Sequence, residues 1–221
     1  MCGLREPAQA AAIARCGADA IGMVFADSPR WVSVEQARAI TDVLPPMVSA
    51  VGVFVNAQPA AMNRAADKAR LQYIQLHGDE GPEIVEALDR PVFKAFRINQ
   101  PSWLADVRRW LDGVRSVSRV AAILLDAFRP DRYGGTGERF NWELVADARQ
   151  AGVMSGLPPI ILSGGLDEHN VVSGIEIVQP WAVDVSSGVE KSPGVKDVAK
   201  ASSFIATVID DVPALHSEFW T

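Results

Sequence analysis

The stretch Ile160-Ile161-Leu162-Ser163-Gly164-Gly165-Leu166 decides the fold class of this chain. A second stretch, Ala182-Val183-Asp184-Val185-Ser186-Ser187-Gly188-Val189, repeats its plan. In both, an apolar run that favours β-structure stops in a Ser/Gly loop, and a segment with helical spacing follows. Strands that alternate with helices in this way are typical of a parallel sheet covered by helices. The two stretches therefore predict an α/β protein.

The same alternation extends outward over the whole chain. Seven segments are predicted to be strands because their apolar character is continuous, as in parallel strands that helices cover on both faces. They span residues 20–25, 48–55, 73–76, 92–97, 121–126, 160–163 and 182–186. Helical spacing and helix-start residues predict eight helices. These span residues 7–16, 34–43, 59–69, 82–88, 103–111, 141–151, 167–174 and 196–209.

Eight predicted helices would need eight strands in a closed barrel, but only seven are predicted. The missing strand is the first one, which should precede the first helix. A closed barrel needs that strand, since its neighbours would otherwise have open edges. Ahead of the first helix the chain offers only Met1-Cys2-Gly3-Leu4. We therefore expect a single-domain (βα)8 TIM barrel over residues 1–209, with strand 1 truncated or very short, and a C-terminal tail at residues 210–221. Either strand 1 is short by nature, or the natural start lies upstream.

Composition limits the partners and the location. A chain of 221 residues is long enough for one such barrel. Its net charge of −6 argues against a nucleic-acid partner, because nucleic-acid-binding surfaces are usually basic. No apolar stretch approaches the roughly 18 residues of a membrane span, so no membrane partner is expected. Two cysteines, Cys2 and Cys16, and no signal-peptide pattern predict a cytoplasmic location. The sequence leaves the oligomeric state open between a monomer and a homodimer.

The two Ser/Gly loops predict a phosphate site. They follow strands seven and eight of the expected barrel, where backbone N–H groups of successive strand ends are able to converge on one anion. The residues expected to bind the phosphate are Gly164, Gly165, Ser186, Ser187 and Gly188. The expected ligand is therefore a small phosphorylated metabolite.

Cys2 and Asp126 are the candidate catalytic pair, because they end strands one and six of the expected barrel. A thiolate is able to take a proton, and a carboxylic acid is able to give one to a leaving oxygen. Strands one and six lie far apart in the ring, so the two side chains could face each other across a substrate. The alternative is that Cys2 is a small buried apolar residue and Asp126 caps a turn, and position alone favours that alternative for Cys2.

Three further positions at the same end of the barrel are candidates for substrate contact. Arg30 could pair with a carboxylate through two hydrogen bonds, or it could be a solvated surface residue. His77 could contact the ligand or satisfy its own loop. Gly135 lies in Gly134-Gly135-Thr136-Gly137, where the absence of side chains allows close approach of a ligand. No metal or cofactor is expected, because neither metal-ligand spacing nor a nucleotide-binding glycine motif occurs.

Taken in order along the chain, these segments resemble the phosphoribosylanthranilate isomerase family of tryptophan biosynthesis. The resemblance runs from Cys2 to about residue 209 and depends on an ordered set of short motifs. They are Cys2-Gly3-Leu4, Gly17-Ala18-Asp19-Ala20-Ile21-Gly22, Ser28-Pro29-Arg30, Val51-Gly52-Val53-Phe54, Gln75-Leu76-His77-Gly78, Leu125-Asp126, Gly134-Gly135-Thr136-Gly137, Ser163-Gly164-Gly165-Leu166, Asp184-Val185-Ser186-Ser187-Gly188-Val189-Glu190 and Pro193-Gly194-Val195-Lys196-Asp197.

The resemblance implies an Amadori rearrangement without a cofactor, in which an N-linked phosphoribosyl anthranilate becomes a 1-deoxyribulose 5-phosphate derivative. It implies that Asp126 is the general acid on the ring oxygen and that Cys2 is the general base at the sugar C2. It further implies that Arg30 holds the anthranilate carboxylate, that the two Ser/Gly loops hold the phosphate and that Asp184 contacts the sugar. Several residues usually precede the Cys-Gly-Leu motif in the family, whereas only Met1 precedes it here.

Two other functions compete with this interpretation. A neighbouring phosphate-binding barrel enzyme, such as the tryptophan synthase α-subunit or the aminoaldose isomerase of histidine synthesis, would need an acidic residue in the place of Cys2. A non-catalytic barrel that only binds phosphosugars would bind a phosphorylated ligand without turnover.

Overall fold

A curved parallel sheet forms the centre of the molecule. A computed structural model of the chain describes residues 1–127 and 140–210. In these ranges seven strands lie side by side in chain order, and each is parallel to the next. They are β1 (Ala20–Val24), β2 (Ser49–Phe54), β3 (Tyr73–Leu76), β4 (Val92–Ile98), β5 (Val120–Ala127), β6 (Ile160–Leu162) and β7 (Ala182–Val183). The predicted α/β class is confirmed.

Cys2 takes the place of the missing first strand. It forms a parallel bridge with Gly22 in β1. Its N–H donates to the carbonyl of Val185, just beyond β7, at 2.9 Å. The chain therefore passes between β7 and β1 and joins the two ends of the sheet at this point. The expected (βα)8 barrel, in which the first strand is very short, is thus confirmed.

Helices cover the outside of the sheet. They are α1 (Pro7–Arg15), α2 (Val34–Thr41), α3 (Pro59–Ala69), α4 (Trp103–Asp112), α5 (Glu143–Gln150), α6 (Val171–Val178) and α7 (Val198–Asp210). In α3 the buried residues Met62, Ala65, Ala66 and Ala69 recur at the spacing of one helix face, which explains why this face packs on the sheet. None of the helices in the described part of the chain combines the length and the apolarity that a membrane crossing requires.

Two of the predicted helices differ from the structure. The segment after β3 is a 3-10 helix, Pro82–Ala87, and not an α-helix. A 3-10 helix rises by about 2.0 Å per residue, so it spans the short distance to β4 with fewer residues than an α-helix needs. The helix predicted to start at residue 167 starts at Val171. Asp167 and Asn170 bond each other's backbone first, and such local bonds compete with the helix.

The last strand and the segment after it also differ from the prediction. β7 ends at Val183 rather than at residue 186. After a 3-10 turn (Ser187–Val189), two short antiparallel strands follow, β8 (Glu190–Ser192) and β9 (Val195–Lys196). This hairpin was not predicted, because both strands are too short to show an apolar pattern. The predicted tail at residues 210–221 lies outside the described residues, apart from Asp210, which ends α7.

The alternation of side chains along the strands positions the site. Ala122 and Leu124 in β5 belong to a small apolar cluster with Ala95 and Ile161, whereas their neighbours in β5 belong to the main core beneath the helices. Asp126 lies two residues beyond Leu124 and therefore shares its face, because successive side chains of a strand alternate between faces. The small cluster closes the barrel interior, and Asp126 stands above it at the carboxyl end.

Candidate active site

A cavity opens at the carboxyl ends of the strands. It is lined by Cys2, Val24, Ala26, Asp27, Ser28, Arg30, Val53, Val55, Gln75, His77, Asp126, Ser163, Gly164, Gly165, Leu166, Asp184, Ser186 and Ser187. Nine residues singled out from the sequence are among them. Gly188 does not line the cavity, and Gly135 lies outside the described residues. The fold thus brings candidate residues from distant parts of the sequence to one place.

Asp126 is buried, and hydrogen bonds from neighbouring groups hold its carboxylate. The residue is only 4% exposed, and its Oδ1 accepts the N–H of Ala127 at 2.8 Å. Gly164 approaches from the loop after β6 with a φ of +83°. A Cβ at Gly164 would lie 2.5 Å from the Ala127 nitrogen and 2.7 Å from Oδ1 of Asp126. Only glycine therefore allows this loop to close against Asp126.

His77 bonds the second oxygen of Asp126. Its Nε2 lies 3.1 Å from Oδ2 of Asp126, and its Nδ1 lies 2.8 Å from Nε2 of Gln75. An amide nitrogen only donates, so Nδ1 accepts and Nε2 carries the hydrogen that is donated to Asp126. The sequence analysis quoted Gln75 in a motif but assigned it no role. The signal was its place in β3 two residues before His77, because side chains two residues apart along an extended chain point to the same side.

The Cys2 thiol lies against the backbone of β1. A Cβ on Gly22 would be 2.9 Å from Sγ, so the glycine makes room for the sulfur. Burial above all, together with the carboxylate of Asp184, raises the pKa of Cys2 to about 12, although Lys196, the α-amino group of Met1 and Arg30 each act to lower it. At neutral pH the thiol therefore keeps its proton in this structure. Asp184 in turn accepts a hydrogen bond from Oγ of Ser163 at 3.3 Å.

Arg30 belongs to a buried cluster of three ions. Its Nε donates to Oε1 of Glu190 at 2.8 Å, and its Nη2 donates to Oε2 at 2.7 Å. Nζ of Lys196 also donates to Oε1 of Glu190, at 2.8 Å. Burial raises the pKa of Glu190, but hydrogen bonds from Arg30 and Lys196 outweigh it and hold this pKa below its usual value. Sequence reasoning quoted Glu190 and Lys196 in motifs but assigned them no role.

The two Ser/Gly loops meet at the rim of the cavity. A side chain at Gly188 would overlap the Leu166 carbonyl, so this glycine brings the loop after β7 against the loop after β6. Within residues 1–127 and 140–210, the N–H groups of Gly164, Gly165 and Ser186 have no protein acceptor. Unpaired N–H groups at adjoining strand ends are suited to hold an anion.

A parallel barrel with a buried carboxyl group, a partly buried thiol and free N–H groups at one end defines the class of barrel enzymes that move protons on a small phosphorylated substrate. Within that class, the family model of N-(5'phosphoribosyl)anthranilate (PRA) isomerase matches residues 1–207. The chain belongs to this family.

Relatives and solved structures agree with this assignment. The N-(5'-phosphoribosyl)anthranilate isomerase of Geobacter sulfurreducens is 47% identical over 206 residues, which are 93% of this chain and 95% of the relative. Monomers generated from the dimeric phosphoribosylanthranilate isomerase of Thermotoga maritima are similar with a TM-score of 0.80 and 33% identity, over 95% of this chain and 96% of theirs. A phosphoribosylanthranilate isomerase in complex with reduced 1-(o-carboxyphenylamino)-1-deoxyribulose 5-phosphate gives a TM-score of 0.79 and 34% identity, with the same two coverages.

Proposed function

We propose that this enzyme rearranges N-(5'-phosphoribosyl)anthranilate to 1-(2-carboxyphenylamino)-1-deoxyribulose 5-phosphate, with Asp126 as the general acid and Cys2 as the general base. The reaction belongs to tryptophan biosynthesis, as the family indicates. One observation supports the choice of these two residues as acid and base. Cys2 and Asp126 line the same cavity although they come from distant positions in the barrel. The reaction exchanges protons within one substrate, which a separated acid and base are suited to do.

The first step is opening of the ribose ring. Asp126 in its acid form protonates the ring oxygen, the bond from that oxygen to C1 breaks, and the nitrogen lone pair forms the C1–N iminium. His77 donates to Asp126 and lies 3.1 Å from it, so it is the group that supports the carboxylate left after proton transfer. The iminium carries a positive charge beside C2.

The second step is proton removal from C2. The Cys2 thiolate takes this proton, and the electron pair forms a C1–C2 double bond that neutralises the iminium. The enolamine then tautomerises to the ketone. Burial keeps Cys2 protonated, with a pKa raised to about 12, so the base needs positive charge nearby to become a thiolate. Lys196, Arg30 and the iminium each supply it.

The remaining candidate residues bind the substrate in this proposal. The loops with Gly164, Gly165, Ser186, Ser187 and Gly188 hold the phosphate. Arg30 holds the anthranilate carboxylate, Asp184 contacts the sugar, and Gly135 adds a backbone contact. The related enzyme with a bound phosphorylated analogue supports a ligand of this kind. We place the enzyme in the cytoplasm, as a monomer or a homodimer, and the dimeric relative supports the second state.

The test is turnover of freshly generated phosphoribosylanthranilate, followed by its fluorescence, for the parent and for Cys2→Ser and Asp126→Asn. Each variant is expected to lose at least about a hundredfold in kcat. Cys16→Ser and Asp112→Asn are the matched controls, because Cys16 follows the end of α1, Asp112 ends α4, and neither lines the cavity. Parent-level turnover in either catalytic variant would refute the role of that residue. A folded parent without turnover would refute the function.

A further inference from the structure

The Arg30 guanidinium has two edges, and one of them is occupied. The side edge, formed by Nε and Nη2, makes both hydrogen bonds to Glu190. The end edge, formed by Nη1 and the second hydrogen of Nη2, has no acceptor among residues 1–127 and 140–210. Arg30 lines the cavity, whereas Glu190 does not. A guanidinium edge of this kind matches a carboxylate with two parallel hydrogen bonds.

Lys196 holds the carboxylate of Glu190, which in turn holds Arg30. Its Nζ donates to Oε1 of Glu190 at 2.8 Å and to the carbonyl of Ser186 at 2.8 Å. The residue is 2% exposed, so these bonds form away from water. The cluster of two cations and one anion therefore has one positive charge in excess. That excess favours an anion at the free edge of Arg30.

The aliphatic part of Arg30 is held in place as well. A Cβ on Gly3 would lie 2.5 Å from Cδ of Arg30, and Gly3 has a φ of +83°. The arginine side chain therefore crosses directly over the glycine next to Cys2. The backbone N–H of Arg30 donates to Oγ of Ser28 at 3.1 Å. The backbone of Arg30, its aliphatic part and one edge of its guanidinium are thus each restrained, and little freedom is left for the guanidinium to turn.

We propose that Glu190, held by Lys196, is a positioning residue that turns the free edge of Arg30 toward the ortho-carboxylate of the substrate and so selects carboxylate-bearing aryl amines. The proposal rests on the proposed function, in which Arg30 binds that carboxylate. Glu190 itself does not touch the substrate. Without its charge, Arg30 and Lys196 repel each other, and the guanidinium leaves its orientation.

The experiment uses two stable ligands that differ only in the carboxylate. Reductive amination of ribose 5-phosphate with anthranilate gives a carboxylate ligand, and the same reaction with aniline gives a ligand without it. Dissociation constants of both are measured by calorimetry for the parent, for Glu190→Gln and for the control Glu176→Gln, an exposed position on α6. Thermal unfolding of each protein checks that it is folded.

The parent is expected to prefer the carboxylate ligand by about tenfold or more, the usual effect of hydrogen bonds to a charged group. Glu190→Gln is expected to reduce this preference to about twofold while binding of the aniline ligand changes little. Glu176→Gln should keep the parent preference. In turnover, Glu190→Gln should raise KM more than it lowers kcat.

Other outcomes overturn the proposal. An unchanged preference in Glu190→Gln, or equal weakening of both ligands, would mean that Glu190 has only a structural role. A parent that binds both ligands equally would refute the role of Arg30 itself, and turnover of the parent then decides whether the proposed reaction also fails. If Glu190→Gln does not fold, Glu190→Asp replaces it; its shorter side chain withdraws the carboxylate from the guanidinium, and the preference for the carboxylate ligand should fall as well. In the background of Arg30→Met, the Glu190 substitution should not change the preference further.

Discussion

Two buried ion clusters of similar chemistry lie in this barrel, and only one of them faces the cavity. In the first, Lys94 donates to Oε2 of Glu80 at 2.9 Å and to the carbonyl of Gly78 at 2.7 Å. Glu80 also accepts the N–H of Asn56 at 2.8 Å. In the second, Arg30 and Lys196 share Glu190.

The two clusters differ in whether a member keeps hydrogen-bond donors that no protein group in the described ranges accepts. Lys94 and Glu80 use their groups to fasten the loop after β3, and neither lines the cavity. Arg30 lines it and keeps one edge of its guanidinium without a protein acceptor among the described residues. A buried ion pair by itself is therefore weak support for a functional site. The informative feature is a member that keeps unused donors on the cavity side.

The largest effect is expected from breaking the first cluster. Lys94→Met leaves the buried carboxylate of Glu80 without a counter-ion, and we expect it to lower the free energy of unfolding by about 3–5 kcal/mol. Urea denaturation measures this value. Lys68→Met, at an exposed position of α3, is the control and should change stability by no more than about 0.5 kcal/mol. A loss below about 1 kcal/mol for Lys94→Met would contradict the structural role assigned to this cluster.

Breaking the second cluster at Lys196 should cost less stability. Glu190 keeps its two hydrogen bonds from Arg30 after Lys196→Met, so no charge is left unpaired. We expect a loss of about 2 kcal/mol in the free energy of unfolding. kcat should also fall, because Lys196 is one of the cations that lower the pKa of Cys2. Unfolding in urea and turnover are measured on the same preparations. A loss as large as that of Lys94→Met would show that the clusters are equivalent.

The contact between Gln75, His77 and Asp126 lines the same cavity as Arg30 of the second cluster, and it allows a test of catalysis apart from the ion clusters. Gln75→Leu keeps the volume but removes the group that sets the imidazole tautomer. We expect kcat to fall by about tenfold, or roughly 1.4 kcal/mol in activation free energy, with little change in KM. Gln72→Leu, a glutamine of the loop before β3, is the control outside the cavity. Equal kcat values for parent and Gln75→Leu would exclude a role of this contact in proton transfer.

The smallest effect is expected from the ionisation of Cys2 at alkaline pH. Burial and the carboxylate of Asp184 together raise its pKa from 9.0 to about 12, against the opposing effects of Lys196, the α-amino group of Met1 and Arg30. The folded chain therefore keeps a proton that the unfolded chain loses above pH 9, and stability falls as the pH rises from 9 toward 12. Between about pH 8 and pH 10 the parent should lose on the order of 1 kcal/mol more than Cys2→Ser, as measured in urea. Equal losses would mean that the thiol ionises normally in the fold.

Much of the barrel could be predicted from local patterns. Continuous apolar runs marked the strands, and the positions of Asp126 and His77 at strand ends marked them as candidates. The 3-10 helix at Pro82–Ala87 and the late start of α6 were not predicted, because they depend on chain length between fixed strands and on side-chain bonds to the backbone.

The sequence alone determined the fold class, the family resemblance and the catalytic candidates, because each depends on residue types at short spacing. The tertiary structure alone decided which polar groups share a counter-ion. Arg30 and Glu190 are 160 residues apart, and His77 and Asp126 are 49 apart, so no local pattern relates them. The structure alone also decided that the partly buried Cys2 lies close enough to Asp184 for the carboxylate to raise its pKa. Ionisation and hydrogen-bond geometry follow from neighbours in space, and only the closed barrel defines those neighbours.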